Sequence, residues 1–345
     1  MKRNILNPLV ILSFLLALSG CKQKGPQGLI MTVNGPVSAS ATGIWLPHEH
    51  ILVDFIKADS LPPDPYDRKD VVKKMLPYLR EVKKLGCRTI AECTPEYIGR
   101  DPLLLKELAD STGLNILTNT GIYAAHHNLG IPKGGTSRTA EEFAVKWISE
   151  FRKGIKNTGI KPGFIKIAVD PDSLTIFERR IVRAAAITHL STGLTIASHS
   201  PSAIPVFQEL DIIRSEGVLA EAFIWVHACQ EKDVTKLAEA ARRGAWISLD
   251  KVNDENINEI VKTVRYMKSQ GLLHKVLLSH DAGWYDPAKP DGGEIRGYST
   301  IFKKLIPALK EAGISNYDIK LMTETNPARA FSIGIRQDFS VNKII

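Results

Sequence analysis

The chain has 345 residues, 44% hydrophobic and 24% charged, which describes an ordinary globular protein and leaves out a disordered or low-complexity one. Its formal net charge is +8, yet the basic residues are scattered among acidic ones, without a long run or interleaved aromatics. That pattern reads as a solvated surface and argues against a nucleic-acid partner.

Residues 1–21 stand apart from the fold. Lys2 and Arg3 form a positive start, and Leu9 to Leu18 form an apolar stretch too short to span a bilayer. Leu18-Ser19-Gly20-Cys21 resembles the bacterial lipobox, in which the cysteine becomes the lipidated first residue of the mature protein. The resemblance implies a lipid-anchored protein of the bacterial cell envelope, on its periplasmic or outer-membrane side, meeting the membrane only through that anchor. Residues 22–29 read as a tether and 30–345 as the folded unit. Cys87, Cys93 and Cys229 then remain, an odd number without C-x-x-C spacing, so no disulfide framework is expected.

Apolar runs at 43–50, 88–93, 115–121, 163–169, 194–199, 222–228, 246–250 and 275–281 read as eight strands. Helical patterns separate them: Asp70 to Lys84, where Pro77 is placed to kink the helix, Ala140 to Ile155, Phe177 to Leu190 and Asn256 to Gln270. Gly86, Gly113, Gly193, Gly217, Gly244 and Gly271 follow helical stretches, where C-terminal caps belong. Alternation of this kind predicts an α/β fold, a (β/α)8 TIM barrel rather than a doubly wound sheet. The long connections Tyr123 to Arg138 and Trp284 to Tyr298 follow strands, so they belong at the C-terminal face, where barrels bind substrates.

The strand ends carry the chemistry. Leu46-Pro47-His48-Glu49-His50 closes the first strand with two histidines on one face and Glu49 on the other. The fourth strand holds Lys166 inside an apolar run, the fifth ends in His199, the sixth in His227 and the eighth in His280-Asp281. Parallel strands end at one barrel mouth, so these groups can converge. His280, by alternation, turns its ring away from Asp281. Taken singly, His199 or His227 also suits a core position and Asp281 a loop anchor. Lys166 is harder to place, because a buried, unpaired ammonium is costly and cannot ligate a cation. Burial beside positive charge lowers its pKa, and the neutral amine can take up carbon dioxide to give an anionic carbamate.

The set His48, His50, Lys166, His199, His227 and Asp281 resembles the phosphotriesterase family of the amidohydrolase superfamily, in particular its phosphotriesterase-related and lactonase-like members. Thr94-Pro95-Glu96-Tyr97-Ile98-Gly99-Arg100-Asp101 is similar to the family's segment after the second strand, and Asn326-Pro327-Ala328-Arg329-Ala330-Phe331 to its C-terminal signature. The resemblance implies a binuclear site at the C-terminal face holding two divalent ions, zinc in the first instance. His48, His50 and Asp281 would hold the more buried ion, His199 and His227 the more exposed one, and carboxylated Lys166 would bridge them together with a hydroxide. Asp281 would accept the hydroxide proton.

The chain departs from the phosphotriesterases at their proton relay. His227-Ala228-Cys229-Gln230 and Ser248-Leu249-Asp250-Lys251 lack the acid–imidazole pair, and Lys251 leans toward the family's lactonases. The expected function is metal-dependent hydrolysis of a small lactone or carboxylic ester. The alternatives are phosphotriester (organophosphate) hydrolysis, in the manner of an aryldialkylphosphatase, and a non-catalytic ligand-binding lipoprotein, which the six filled ligand positions disfavour. Tyr97, Tyr123, Lys251, Trp284 and Tyr285 are candidates to line the substrate pocket, and a homodimer is one expected assembly.

Overall fold

The computed structural model describes residues 27–56, 58–60 and 66–340. The leader, Cys21 and most of the expected tether lie outside the described residues. The tether is shorter than the sequence suggests at its inner end. Leu29 already belongs to a hairpin of β1 (Leu29–Thr32) and β2 (Gly35–Ser38), joined by the two-residue turn Val33–Asn34.

The barrel follows. Its strands are β3 (Ile44–Glu49), β4 (Cys87–Glu92), β5 (Asn115–Leu117) with its continuation β6 (Asn119–Tyr123), β7 (Phe164–Ala168), β8 (Ile196–His199), β9 (Phe223–Val226), β10 (Trp246–Leu249) and β11 (Val276–Leu278). Neighbours pair in parallel as β3–β4–β5 and β6–β7–β8–β9–β10–β11. Thr118 interrupts the third barrel strand, so its first half pairs with β4 and its second with β7. The ring closes just beyond β11. The Asp281 amide donates to His48 O (3.1 Å), His50 N to Ala282 O (2.9 Å) and Tyr285 N to Ile51 O (3.0 Å).

Helices cover the outside, among them α1 (Arg68–Lys84), α2 (Pro102–Thr112), α3 (Ala140–Lys153), α4 (Ile176–Thr192), α5 (Ala203–Ser215), α6 (Val234–Arg243) and α7 (Ile257–Ser269). In α1, Val71, Met75, Leu79 and Val82 recur at helical spacing and are all buried, and the helix continues through Pro77. Thr139 with Glu142 and Thr175 with Glu178 close capping boxes that start α3 and α4. Gly193 ends α4 at φ 73°, a left-handed turn that an L side chain rarely adopts.

Side-chain alternation sorts the barrel interior into a dry floor and a polar top. Trp45, Ala91, Leu117, Phe164, Ala197, Ile224 and Leu277 belong to one buried cluster, closed by Phe331, which stacks on Trp45 (5.4 Å) and meets Phe164 edge-on (5.3 Å). Two residues beyond Phe164 and Ala197, on the same faces, come Lys166 and His199. Asn326 fixes this plug by donating to Leu273 O and Val276 O, both at 2.8 Å. Beyond it, residues 332–339 cross the floor as a strap: Ile333 N bonds Leu29 O, Gly334 N bonds Gly193 O and Asp338 N bonds Gly217 O. Among the described residues, no helix is long and apolar enough to cross a membrane.

Candidate metal centre

The six expected ligands come from five strand ends. His48 and His50 flank Glu49 at the end of β3 and are buried, with side chains directed opposite to the glutamate. Glu49 points outward and fastens β11 to β3. Its carboxylate accepts the amides of His280 (2.9 Å) and Ala282 (2.9 Å), the Ser279 hydroxyl (2.8 Å) and His280 Nδ1–H (2.8 Å). His280 Nε2 accepts Ile301 N–H (3.0 Å), so this histidine is a strut behind the site, turned from Asp281 as alternation requires.

His227 and Asp281 are not extended strand residues. They take left-handed backbone, φ 67° and 54°, just past their strands. Such conformations are costly away from glycine and gather at functional sites. The turn aims both side chains inward: the His227 ring lies 4.5 Å from that of His199 and 5.1 Å from that of His48, centroid to centroid. Asp281 Oδ1 lies 3.1 Å from His50 Nε2 and 3.6 Å from His48 Nε2.

Asp250 organises this arrangement, a role that the sequence reading missed. Fully buried after β10, it accepts His48 Nδ1–H (2.8 Å), His227 Nδ1–H (2.9 Å) and the His227 amide. Burial pushes its acidity down, but the facing His227 and His48 win and hold the carboxyl well below the usual range. Thr94 plays the same part for His50, with Oγ1 2.7 Å from Nδ1. This gives the Thr94–Asp101 stretch a physical purpose. Arg100 anchors it through a two-pronged pair with Glu150 (2.8 and 2.9 Å) and a bond to Asn119 O. Asn119 in turn donates to Glu92 O and Thr94 O.

The donor set fits divalent ions. With Nδ1–H given to Asp250, His48 directs a lone pair from Nε2 at the Asp281 carboxylate, and two acceptors facing each other across 3.6 Å call for a cation. Burial lowers the pKa of His48 and takes that of His199 well below the ordinary value, which favours the neutral imidazole that a metal ion requires. His48, His50 and Asp281 place donor atoms close enough to share one ion, as do His48, His227 and Asp250. We assign Asp250 to orientation, because both its oxygens already receive Nδ1–H bonds.

Lys166 is 2% exposed, its Nζ 3.3 Å from Ile167 O, and burial lowers its pKa. Strand pairing leaves no slack around it: Gly121, at φ 121°, sits opposite Lys166, and a Cβ there would collide with the Lys166 carbonyl.

The expected pocket residues divide. Tyr123 meets the His199 ring edge-on (5.4 Å) and stacks with His126 (5.9 Å); Trp284 packs on His50 (5.2 Å) and Phe55 (5.4 Å). Tyr97, at φ 69°, holds the Lys146 ammonium 5.4 Å from its ring centroid. Lys251 follows Asp250, half-buried, its carbonyl accepting from Asn253 and Asn256 side chains. Tyr285 is not brought to the site. It alternates away from Trp284 into the core, its ring packed against Gly292. His126 was not foreseen. With His127 and Asn128 it forms three consecutive left-handed residues, whose turn is held by Asp170 accepting both histidine amides.

The Phosphotriesterase family model matches residues 28–331. The chain is 25% identical over 299 residues to a "Phosphotriesterase homology protein" of Escherichia coli, covering 86% of this chain and 100% of that protein. It is 27% identical over 308 residues to an "Aryldialkylphosphatase" of Saccharolobus solfataricus (86% and 97%), and 24% over 343 residues to an "N-acetyltaurine hydrolase" of Xenopus tropicalis (87% and 97%). A solved mutant organophosphorus hydrolase from Deinococcus radiodurans superposes with a TM-score of 0.79 at 27% identity, covering 90% of this chain and 99% of that one. The barrel, its inward histidines and these matches make the chain a hydrolase-fold member of the phosphotriesterase family.

Proposed function

We propose that this protein hydrolyses a small lactone or carboxylic ester with two divalent ions, zinc by the chemistry of its donors. The observation that carries the reading is Asp250 bonded to both His48 and His227, which leaves their Nε2 lone pairs directed inward. His48, His50 and Asp281 would hold one ion, His199 and His227 the other, and Lys166 would lie between. When bound, such a pair supplies a strongly acidified water and a Lewis acid for the substrate's C=O.

The chain's own residues do the rest. Burial lowers the Lys166 pKa and so favours its neutral amine, whose Nζ would attack carbon dioxide: the C–N bond forms as one C=O π pair moves onto oxygen, and the N–H proton passes to water, leaving an anionic carbamate. Asp281 Oδ1 would take the proton of the attacking water and return it to the alkoxide oxygen that departs as the ester C–O bond breaks. Its backbone oxygen is fixed by Trp284 Nε1–H (3.0 Å) and Arg296 Nη1–H (3.0 Å), so the carboxylate keeps its aim while its charge changes. Tyr123 and Trp284 wall the mouth and limit water.

The choice of carboxylic substrates rests on Gln230 and Lys251, which cannot form an acid–imidazole relay. With zinc-loaded protein and a panel of lactones, aryl esters and dialkyl aryl phosphates, kcat/KM should favour the carboxylic compounds by about a hundredfold. A preference for the phosphates would overturn the substrate class, and two bound ions without turnover of any compound would restore the ligand-binding reading.

We further propose that Cys21 carries the lipid that holds the enzyme to the cell envelope. Cys21→Ser should leave the membrane fraction without acylated protein while the hydrolase keeps its turnover. An acylated, membrane-bound Cys21→Ser protein would exclude this anchor.

A further inference from the structure

The floor of the barrel, opposite the metal centre, exposes apolar side chains along a single seam. Phe339 is 85% exposed, Ile335 56%, Leu29 53% and Leu219 39%. Backbone bonds put them together: Ile333 N reaches Leu29 O, Leu219 N reaches Arg336 O, and Val218 pairs with Gln337. Large exposed apolar groups that share one patch mark a contact surface rather than scatter. The strap is also rigidly held, because Arg336 spends its guanidinium on the carbonyls of Arg329, Ala330 and Ser332 and on Thr195 Oγ1.

Charge surrounds this seam. Every helix of the barrel returns the chain to the floor, so helix C-termini lie there, and their last turns carry basic residues, among them Lys84, Arg152, Lys153 and Arg214, all exposed. Asp70, Glu141, Glu142, Glu178 and Glu259 occupy first turns, at the mouth side. Arg68, Lys69, Arg179 and Arg180 stand near helix starts as well, and Glu81, Asp110 and Asp338 lie on the floor side, so the floor presents exposed cations interspersed with acids. Some rim cations are paired on the protein, Arg243 with Asp211 and Lys268 with Asp318.

The chain also enters at the floor. Gln27 O accepts the Ser332 hydroxyl (3.1 Å), beside the strap. Five residues separate Gln27 from Cys21, a reach of roughly 20 Å even when fully extended.

We propose that the strap face, with Leu29, Leu219, Ile335 and Phe339 at its centre and the exposed cations of the helix ends around it, docks on an anionic lipid bilayer, turning the catalytic mouth away from the membrane. Its nearness to the bilayer rests on the lipidation of Cys21; its affinity rests on the face itself. Insertion of these side chains below the headgroups gains area-proportional hydrophobic energy, and each rim cation adds attraction to the anionic surface.

The test uses the mature full-length protein isolated from membranes. Intact mass first reports whether Cys21 is acylated, independently of orientation. The protein is then placed in vesicles of phosphatidylethanolamine with roughly one quarter phosphatidylglycerol, and amide exchange is compared with that in neutral detergent micelles. Amides of 335–340 should slow about tenfold, while the 284–298 connection exchanges unchanged. Ile335→Asp with Phe339→Asp should abolish the slowing and leave turnover intact, since exposed substitutions of this kind hardly affect folding. Unchanged strap exchange in acylated protein, or protection at 284–298 instead, overturns the proposal. If the mass shows no acyl group, the anchor reading fails alone. Sedimentation with the same vesicles then decides: binding lost in the Asp variants supports the docking face, and no binding by the native chain overturns it.

Discussion

Lys166→Ala will lose the ability to retain two ions, and its kcat/KM will fall by at least about a thousandfold, ~4 kcal/mol of barrier. The reasoning starts from burial. Lys166 is almost fully enclosed, its pKa is lowered, and among the described residues its Nζ has one hydrogen bond, to a carbonyl at 3.3 Å. A charged ammonium would be the costliest species there, and a neutral amine would leave two dications without a bridge. The carbamate satisfies both demands. Alanine opens a slot with the width of a carboxylate, so formate or acetate should restore a measurable part of the activity. Lys166→Arg should not be restored, because the guanidinium stays charged and fills the slot. Full metal content and normal turnover in Lys166→Ala would make Lys166 a structural residue and remove the carbamate from the mechanism.

Asp250→Asn will cost metal affinity by about a hundredfold, at the upper end of what a residue behind the ligands controls, because one carboxylate serves two histidines. Asparagine offers one carbonyl oxygen and one amide donor where Asp250 offers two acceptors. Either His48 or His227 must then face an N–H group and shift its proton to Nε2, the atom needed for a metal. Metal titration will show one weakened site, and nitrogen NMR of the imidazoles will show one changed tautomer. A variant with two unaltered affinities would reduce Asp250 to a packing role. Its depressed pKa gives the native enzyme a further property. The stability that Asp250 contributes is complete above the usual carboxylate range and is lost only as pH falls through its lower folded value.

The strand ends were legible because the barrel imposes a simple rule: a polar residue closing an apolar run points at the common mouth. The same rule, applied to Trp246-Ile247-Ser248-Leu249-Asp250, selects Asp250, whose polar neighbour Lys251 makes the strand end ambiguous. Thr94 could not be read this way, since its role depends on a hydroxyl brought to His50 across 44 positions. Tyr285 illustrates the opposite limit. Aromatics at the start of a connection are ambiguous until the face of each residue is known, and the bonds of Tyr285 with Ile51 and Val53 turn its side chain away from the mouth into the core. Backbone left-handedness at His227 and Asp281 also escapes sequence, because neither position carries the glycine that usually announces it. The short hairpin β1–β2 and the strap are held by main-chain bonds to distant carbonyls, which leave no periodic trace.

Glu49 joins β3 to the segment after β11 across 231 positions, and the candidate ligands His48, His50 and Asp281 sit on the two sides of that seam. Bringing such distant segments together costs roughly 5 kcal/mol of chain entropy, so a strand pair of this separation forms late in folding. Any ion bound by all three side chains therefore acts as a latch on the completed ring. Partly folded chains that lack the seam cannot share its affinity, and the bound ions stabilise the finished barrel selectively by mass action. Chelation should loosen the seam first, with faster amide exchange at 48–53 and 279–285 while the β6–β9 arc stays protected. On the proposed two-ion reading, metal supply would then set how long each molecule survives as well as how fast it works.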